Sequence, residues 1–123
     1  MNSSTTAAQL EGRWQMVRAE FAGSQAPEFV ALKTVLELIH GHYSVSFDGK
    51  VVDQGNFNLD GEFPANNILF DGTEGPNQGH LVPSIYQCVG ERLRVCYGLN
   101  GVLPESFATA TGQQRYLATY RRI

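Results

Sequence analysis

Tyr43-Ser44-Val45-Ser46-Phe47-Asp48-Gly49-Lys50-Val51-Val52-Asp53-Gln54-Gly55-Asn56-Phe57 decides the fold class. Tyr43, Val45 and Phe47 alternate with His42, Ser44 and Ser46, the period-two pattern of a half-buried strand. Asp48-Gly49 is a strong hairpin turn, because both central residues of the tightest hairpins need positive φ. The strand that follows, Val51 to Leu59, places Asp53, Gly55, Phe57 and Leu59 on one face.

The same signals recur on both sides of this hairpin. Gln9 to Phe21 reads as the first strand, with Trp14 and Met16 on one face and Val17, Ala19 and Phe21 on the other. A short helix is expected after Ala26, where Pro27 suits a first helical turn. Val35 to Ile39 is a strand broken at His40-Gly41. Asp60-Gly61 marks a turn, and Asn67 to Phe70 is a short strand ended by Asp71-Gly72. Leu81 to Cys88 and Arg92 to Tyr97 form a hairpin, a long connection runs from Gly98 to Gly112, and Gln114 to Arg122 is the last strand. About eight strands with turn signals at roughly 8–12-residue spacing predict an all-β sandwich or barrel.

The chain has 123 residues, 42% of them hydrophobic and 17% charged, which suits one soluble domain with one core. Residues 1–8 are expected to be a disordered lead and 9–123 a single domain. The net charge of −3 and the sparse basic cluster Arg115, Arg121 and Arg122 point away from nucleic acid. No window is long and apolar enough for a membrane helix, and Met1 to Ala8 has no secretory pattern, so no membrane partner and a cytoplasmic location are expected. With a two-residue turn at Gly90-Glu91, Cys88 opposes Leu93 and Cys96 points to the other face; a longer turn leaves them diagonal neighbours about 7–8 Å apart. Either way two free, mostly buried thiols are expected.

Leu10-x-Gly12-x-Trp14 opens the first strand and Arg121-Arg122 closes the last. Between them come Gly49-Lys50-Val51-Val52-x-x-Gly55-x-Phe57, Asp71-Gly72 with Gly75-Pro76-x-x-Gly79, Ser84-Ile85-Tyr86, Leu93-x-Val95-Cys96-Tyr97 and Pro104-x-x-Phe107-Ala108-Thr109. In this order and spacing, over nearly the whole chain, they resemble a bacterial lipocalin-like (calycin) small β-barrel family of uncharacterised function. The resemblance implies a lipocalin-like up-and-down antiparallel barrel of about eight strands with a short helix or loop capping one end. Trp14 would plug one end, and Arg121 or Arg122 would lie across it and tie the last strand to the first. The family brings no catalytic residues, metal or cofactor to carry over.

Chemistry has few candidates. His40 and His42 on one strand face, with Glu37, sit about 7 Å apart, near enough to share a metal, but Gly41 lies at a break and two exposed histidines are the expectation. Neither Cys88 nor Cys96 has an evident base, so core packing is expected for both. The glycines of residues 72–79 are followed by no Lys-Ser/Thr and no helix, which argues against a phosphate loop. Asp53 is either an inward acid, able to serve as a general acid or ligand anchor, or a strand-end residue at the rim, the commoner case. Phe47, Phe57, Phe70, Tyr43, Tyr86 and Tyr97 lie on different strands and can line one lumen, which in so short a chain is expected to be mostly filled by them. Candidate binding residues are therefore Arg18, Tyr43, Asp53, Phe57, Tyr86 and Tyr97, with no catalytic residue assigned. The leading expectation is a non-enzymatic module holding a small apolar ligand. A protein–protein partner, such as an immunity or inhibitor protein that neutralises a toxin or enzyme through the polar loop 71–80, is the second, and a small barrel cyclase or isomerase using Asp53 the third.

Overall fold

A computed structural model describes residues 7–59 and 66–123. The elements in chain order are α1 (Ala7–Leu10), β1 (Gly12–Phe21), β2 (Ser24–Gln25), α2 (Pro27–Ala31), β3 (Thr34–Ile39), β4 (His42–Phe47), β5 (Lys50–Asn58), β6 (Asn67–Glu74), β7 (Leu81–Val89), β8 (Arg92–Gly98) and β9 (Arg115–Arg122). Eight strands, all but the two-residue β2, pair antiparallel in sequence order, and β9 returns to pair with β1. The result is a closed, all-β, up-and-down barrel with no free long edge. It is consistent with the lipocalin-like architecture.

Turn chemistry sets this order locally. Ala22-Gly23, His40-Gly41 and Asp48-Gly49 each have positive φ at both positions, the geometry that matches the right-handed twist of the flanking strands. His40-Gly41 is therefore the β3–β4 hairpin turn. At Gly90-Glu91 the two-residue turn puts Cys88 opposite Leu93, as the spacing requires.

Three expectations are corrected. The first strand starts at Gly12, and Ala7–Leu10 is a helical turn with Leu10 fully buried. Residues 1–6 of the expected lead, and the Asp60-Gly61 turn, lie outside the described residues. In β1 a bulge falls between Met16 and Arg18, so Val17 is the extra residue and parity flips. Trp14, Met16 and Ala19 are consequently all buried, and Val17 does not share the inward face with Ala19. Asp71-Gly72 does not end a strand; β6 runs through it to Glu74. There Gly72 is packed so closely that a Cβ would lie 2.1 Å from the Asn77 carbonyl oxygen.

One end of the barrel is closed by side chains. Trp14 and Leu10 have no exposed surface, and the indole Nε1–H donates to the Leu10 carbonyl at 2.9 Å. The Arg122 guanidinium lies 4.2 Å from the centre of the Trp14 ring and donates to the carbonyls of Glu11 and Gln9. It therefore stacks on the plug and caps the loose carbonyls around α1 together. Gly12 makes room: its φ is +134°, and a Cβ there would stand 2.8 Å from Arg122 Nη1. Arg121 faces solvent and reaches only the Gln15 side chain, so the closing arginine is Arg122.

The long connection 99–114 lies against the outer wall. Phe107 sits under the Arg94 guanidinium at 4.2 Å, and Thr109 Oγ1 donates to Glu20 while accepting from the Gly23 N–H. This strap explains how Cys96, on the outer face of β8, is fully buried, with Ala108 backbone beside its thiol. Both cysteines are free, and burial raises both thiols above their ordinary range.

Candidate functional site

The other end of the barrel is open to a cavity of about 660 Å³. That is the size range of small-molecule sites. The expected filled lumen is thus overturned. The bulky rings pack on one another along the cavity wall, two of the contacts edge to face, one tilted and one stacked. Phe29 packs edge-on against Tyr116 at 5.5 Å, Tyr116 stacks on Tyr97 at 5.6 Å, Tyr97 meets Phe70 at 5.4 Å, and Phe70 meets Tyr43 edge-on at 5.2 Å. One continuous aromatic wall of the cavity results.

Helix α2 forms part of the mouth. Pro27 opens it, the Ala26 N–H donates to the Ala19 carbonyl, and Thr34 Oγ1 donates to the Phe29 carbonyl. These contacts hold Phe29 over the cavity and set Glu28 at its entrance.

Asp53 is the polar centre. It is buried despite its charge, at 7% exposure, so the inward reading holds and the rim reading does not. Two bulges place it there. Val45 pairs with Asp53 and Ser46 with Val51, which leaves Val52 as an extra residue on β5. Thr73 is the extra residue on β6 opposite the Gln54–Gly55 step. The first bulge lets Val52 and Asp53 both line the cavity, which strict alternation forbids. Asp53 Oδ2 accepts the Tyr43 hydroxyl at 3.2 Å and the Asn77 amide at 2.9 Å. Its Oδ1 is buried with no hydrogen-bond partner among the described residues.

The sequence candidates therefore divide. Tyr43, Asp53 and Tyr97 line the cavity. Phe57 and Tyr86 are buried in the hydrophobic core and do not line it. Inward parity is right for both, but they stand beyond its floor. Arg18 is exposed outside the barrel, since the bulge at Val17 turns it away from the lumen. His40 and His42 are exposed at the β3–β4 turn, where the His40 backbone N–H donates to Glu11; no metal-binding group of three side chains occurs among the described residues.

Sequence reasoning missed Tyr116, Tyr120 and Asn77. For the tyrosines a signal existed: Tyr116, Ala118 and Tyr120 alternate along β9. Asn77 had none. It sits in a Gly-rich loop that folds back over the mouth, with the Gly79 N–H donating to the Gly72 carbonyl and the Gly72 N–H to that of His80.

The tyrosine hydroxyls find partners inside the barrel. Tyr97 and Tyr120 are hydrogen-bonded at 2.8 Å, and the Tyr116 hydroxyl donates to Met16 Sδ. Burial raises Tyr43, Tyr97, Tyr116 and Tyr120 above the ordinary phenol range, and the Asp53 carboxylate adds to the rise at Tyr43. A group raised on folding stabilises the protein fully below its unfolded value, about 10 for tyrosine, and loses that stabilisation as pH climbs from there through the folded value. We expect stability to be insensitive to these four residues below that point and to fall steeply above it. A phenolate absorbance titration beside circular dichroism checks this. Four normal titrations before any unfolding would contradict the burial described here.

No family model matches the chain, and no curated protein or solved structure matches it either.

Proposed function

We propose that the protein is a lipocalin-like (calycin-type) barrel that binds a small, largely apolar organic molecule in its lumen without chemically transforming it. The observation that carries this reading is the cavity walled by Phe29, Phe70, Tyr97 and Tyr116 with one oriented carboxylate at its side. An apolar concavity with a few fixed polar groups is the usual form of a small-molecule site. The loop 71–80 favours this over a protein-partner role, because Asn77 turns inward to position Asp53 and Gly72 is closed against it. The inner side of that loop thus serves the lumen.

Native mass spectrometry of the protein purified from its own host tests the proposal. The expected result is a reproducible small-molecule adduct that disappears on mild unfolding. A bare mass, together with no uptake of small aromatic probes, would overturn it. A co-purifying protein in place of the adduct would favour the interaction role.

A further inference from the structure

The chemistry of the cavity wall goes further than size. Among the described residues, Glu28 and Asp53 are the only charged side chains lining it, and both are acidic; no described Lys, Arg or His lines it. Asp53 Oδ2 already accepts two donors, whereas Oδ1 is buried and accepts none. A carboxylate withdrawn from water at the wall of an apolar cavity is costly, so a ligand that brings a positive charge beside it regains part of what burial removed. Beside it runs the wall of rings from Tyr43 through Phe70 and Tyr97 to Tyr116, whose faces attract cations. An anionic ligand would meet two carboxylates with no counter-charge, and a plain hydrocarbon would leave the Asp53 carboxylate without one.

Taking the proposed binding role as given, we infer that the cavity selects organic ammonium ions: a primary or secondary ammonium pairs with the Asp53 carboxylate in the cavity wall while its aryl or alkyl body lies along the Phe70–Tyr97–Tyr116 wall. Glu28 at the mouth adds a second negative charge on the way in. Asn77 and Tyr43 are positioning residues, since both donate to Oδ2 and so fix the carboxylate in the wall.

The test uses three probes that share one ring system: naphthylethylamine, ethylnaphthalene and naphthylpropanoate, titrated into the intact protein by the ring's own fluorescence. The amine is expected to bind about tenfold or more tighter than ethylnaphthalene, and the propanoate weakest, as a charge-assisted hydrogen bond requires. Asp53→Asn is expected to erase the preference for the amine, because an amide nitrogen or a neutral oxygen replaces the charged acceptor. Glu28→Gln, at the exposed mouth, is expected to keep most of it. Equal affinity for amine and hydrocarbon would overturn the inference and leave the binding role standing. Binding of none of the three would overturn both. A folded Asp53→Asn that still prefers the amine would also overturn it, and if that variant fails to fold, the ranking on the unaltered protein decides alone.

Discussion

Trp14→Ala is expected to lower the unfolding free energy by about 3–5 kcal/mol, the usual cost of truncating a buried aromatic residue to alanine. Marginal stabilities of about 5–15 kcal/mol put that loss near the limit of folding for a domain of this size. The ring has no exposed surface, its N–H satisfies the Leu10 carbonyl, and the Arg122 guanidinium rests on it. Removing it empties the closed end and releases α1 and Arg122 at once. Trp14→Phe keeps an aromatic face for Arg122 but leaves the Leu10 carbonyl without its donor, so it is expected to cost less than the alanine. Urea unfolding followed by circular dichroism measures both, since the lone tryptophan is lost as a fluorophore. An alanine variant within about 1 kcal/mol of the parent would refute the plug, because surface sites alone show effects that small.

Gly55→Ala is expected to be the other large loss, about 3 kcal/mol, at the upper end for overpacking. A Cβ there would stand 2.1 Å from the Asp71 carbonyl oxygen and 2.9 Å from Gly72 Cα, both backbone. Backbone cannot rotate away as a flexible side chain can, so β5 and β6 must part. The same Cβ would press on Tyr43 Cε2 at 2.8 Å, and Tyr43 holds Asp53. Stability and probe binding should therefore fall together. Gly49→Ala, with nothing within 4 Å of its Cβ but a φ of +85°, should lose only the strain of a left-handed alanine, about 1 kcal/mol, and leave binding intact. Thermal unfolding with the naphthyl probes separates the two. A Gly55→Ala protein with both properties unchanged would mean that the two strands are not packed as described.

The residues of the cavity illustrate how far a linear pattern reaches. Tyr43, Asp53 and Tyr97 are visible as inward candidates because alternation is a property of one strand and its neighbours in sequence. Phe57 and Tyr86 share that parity and still miss the cavity, because depth along the barrel axis depends on how the strands are staggered around it. Arg18 fails for a different reason. A single extra residue at Val17 reverses parity, and β-bulges leave little local trace in composition. Asn77 is reached only through the fold-back of a loop onto Gly72.

What the sequence by itself determined is the strand succession, with a break at His40-Gly41, and the tight turns at Asp48-Gly49 and Gly90-Glu91; the closure by Trp14 with a C-terminal arginine came from the lipocalin-like resemblance. The strands and turns rest on near-neighbour physics: side-chain alternation and the φ that a turn demands. Only the tertiary structure decided that Arg122 and not Arg121 lies on Trp14, that Asp53 is buried with an unsatisfied oxygen, and that the lumen is open. Those outcomes depend on bulges, stagger and ring orientation, which are settled by contacts between residues far apart in the chain.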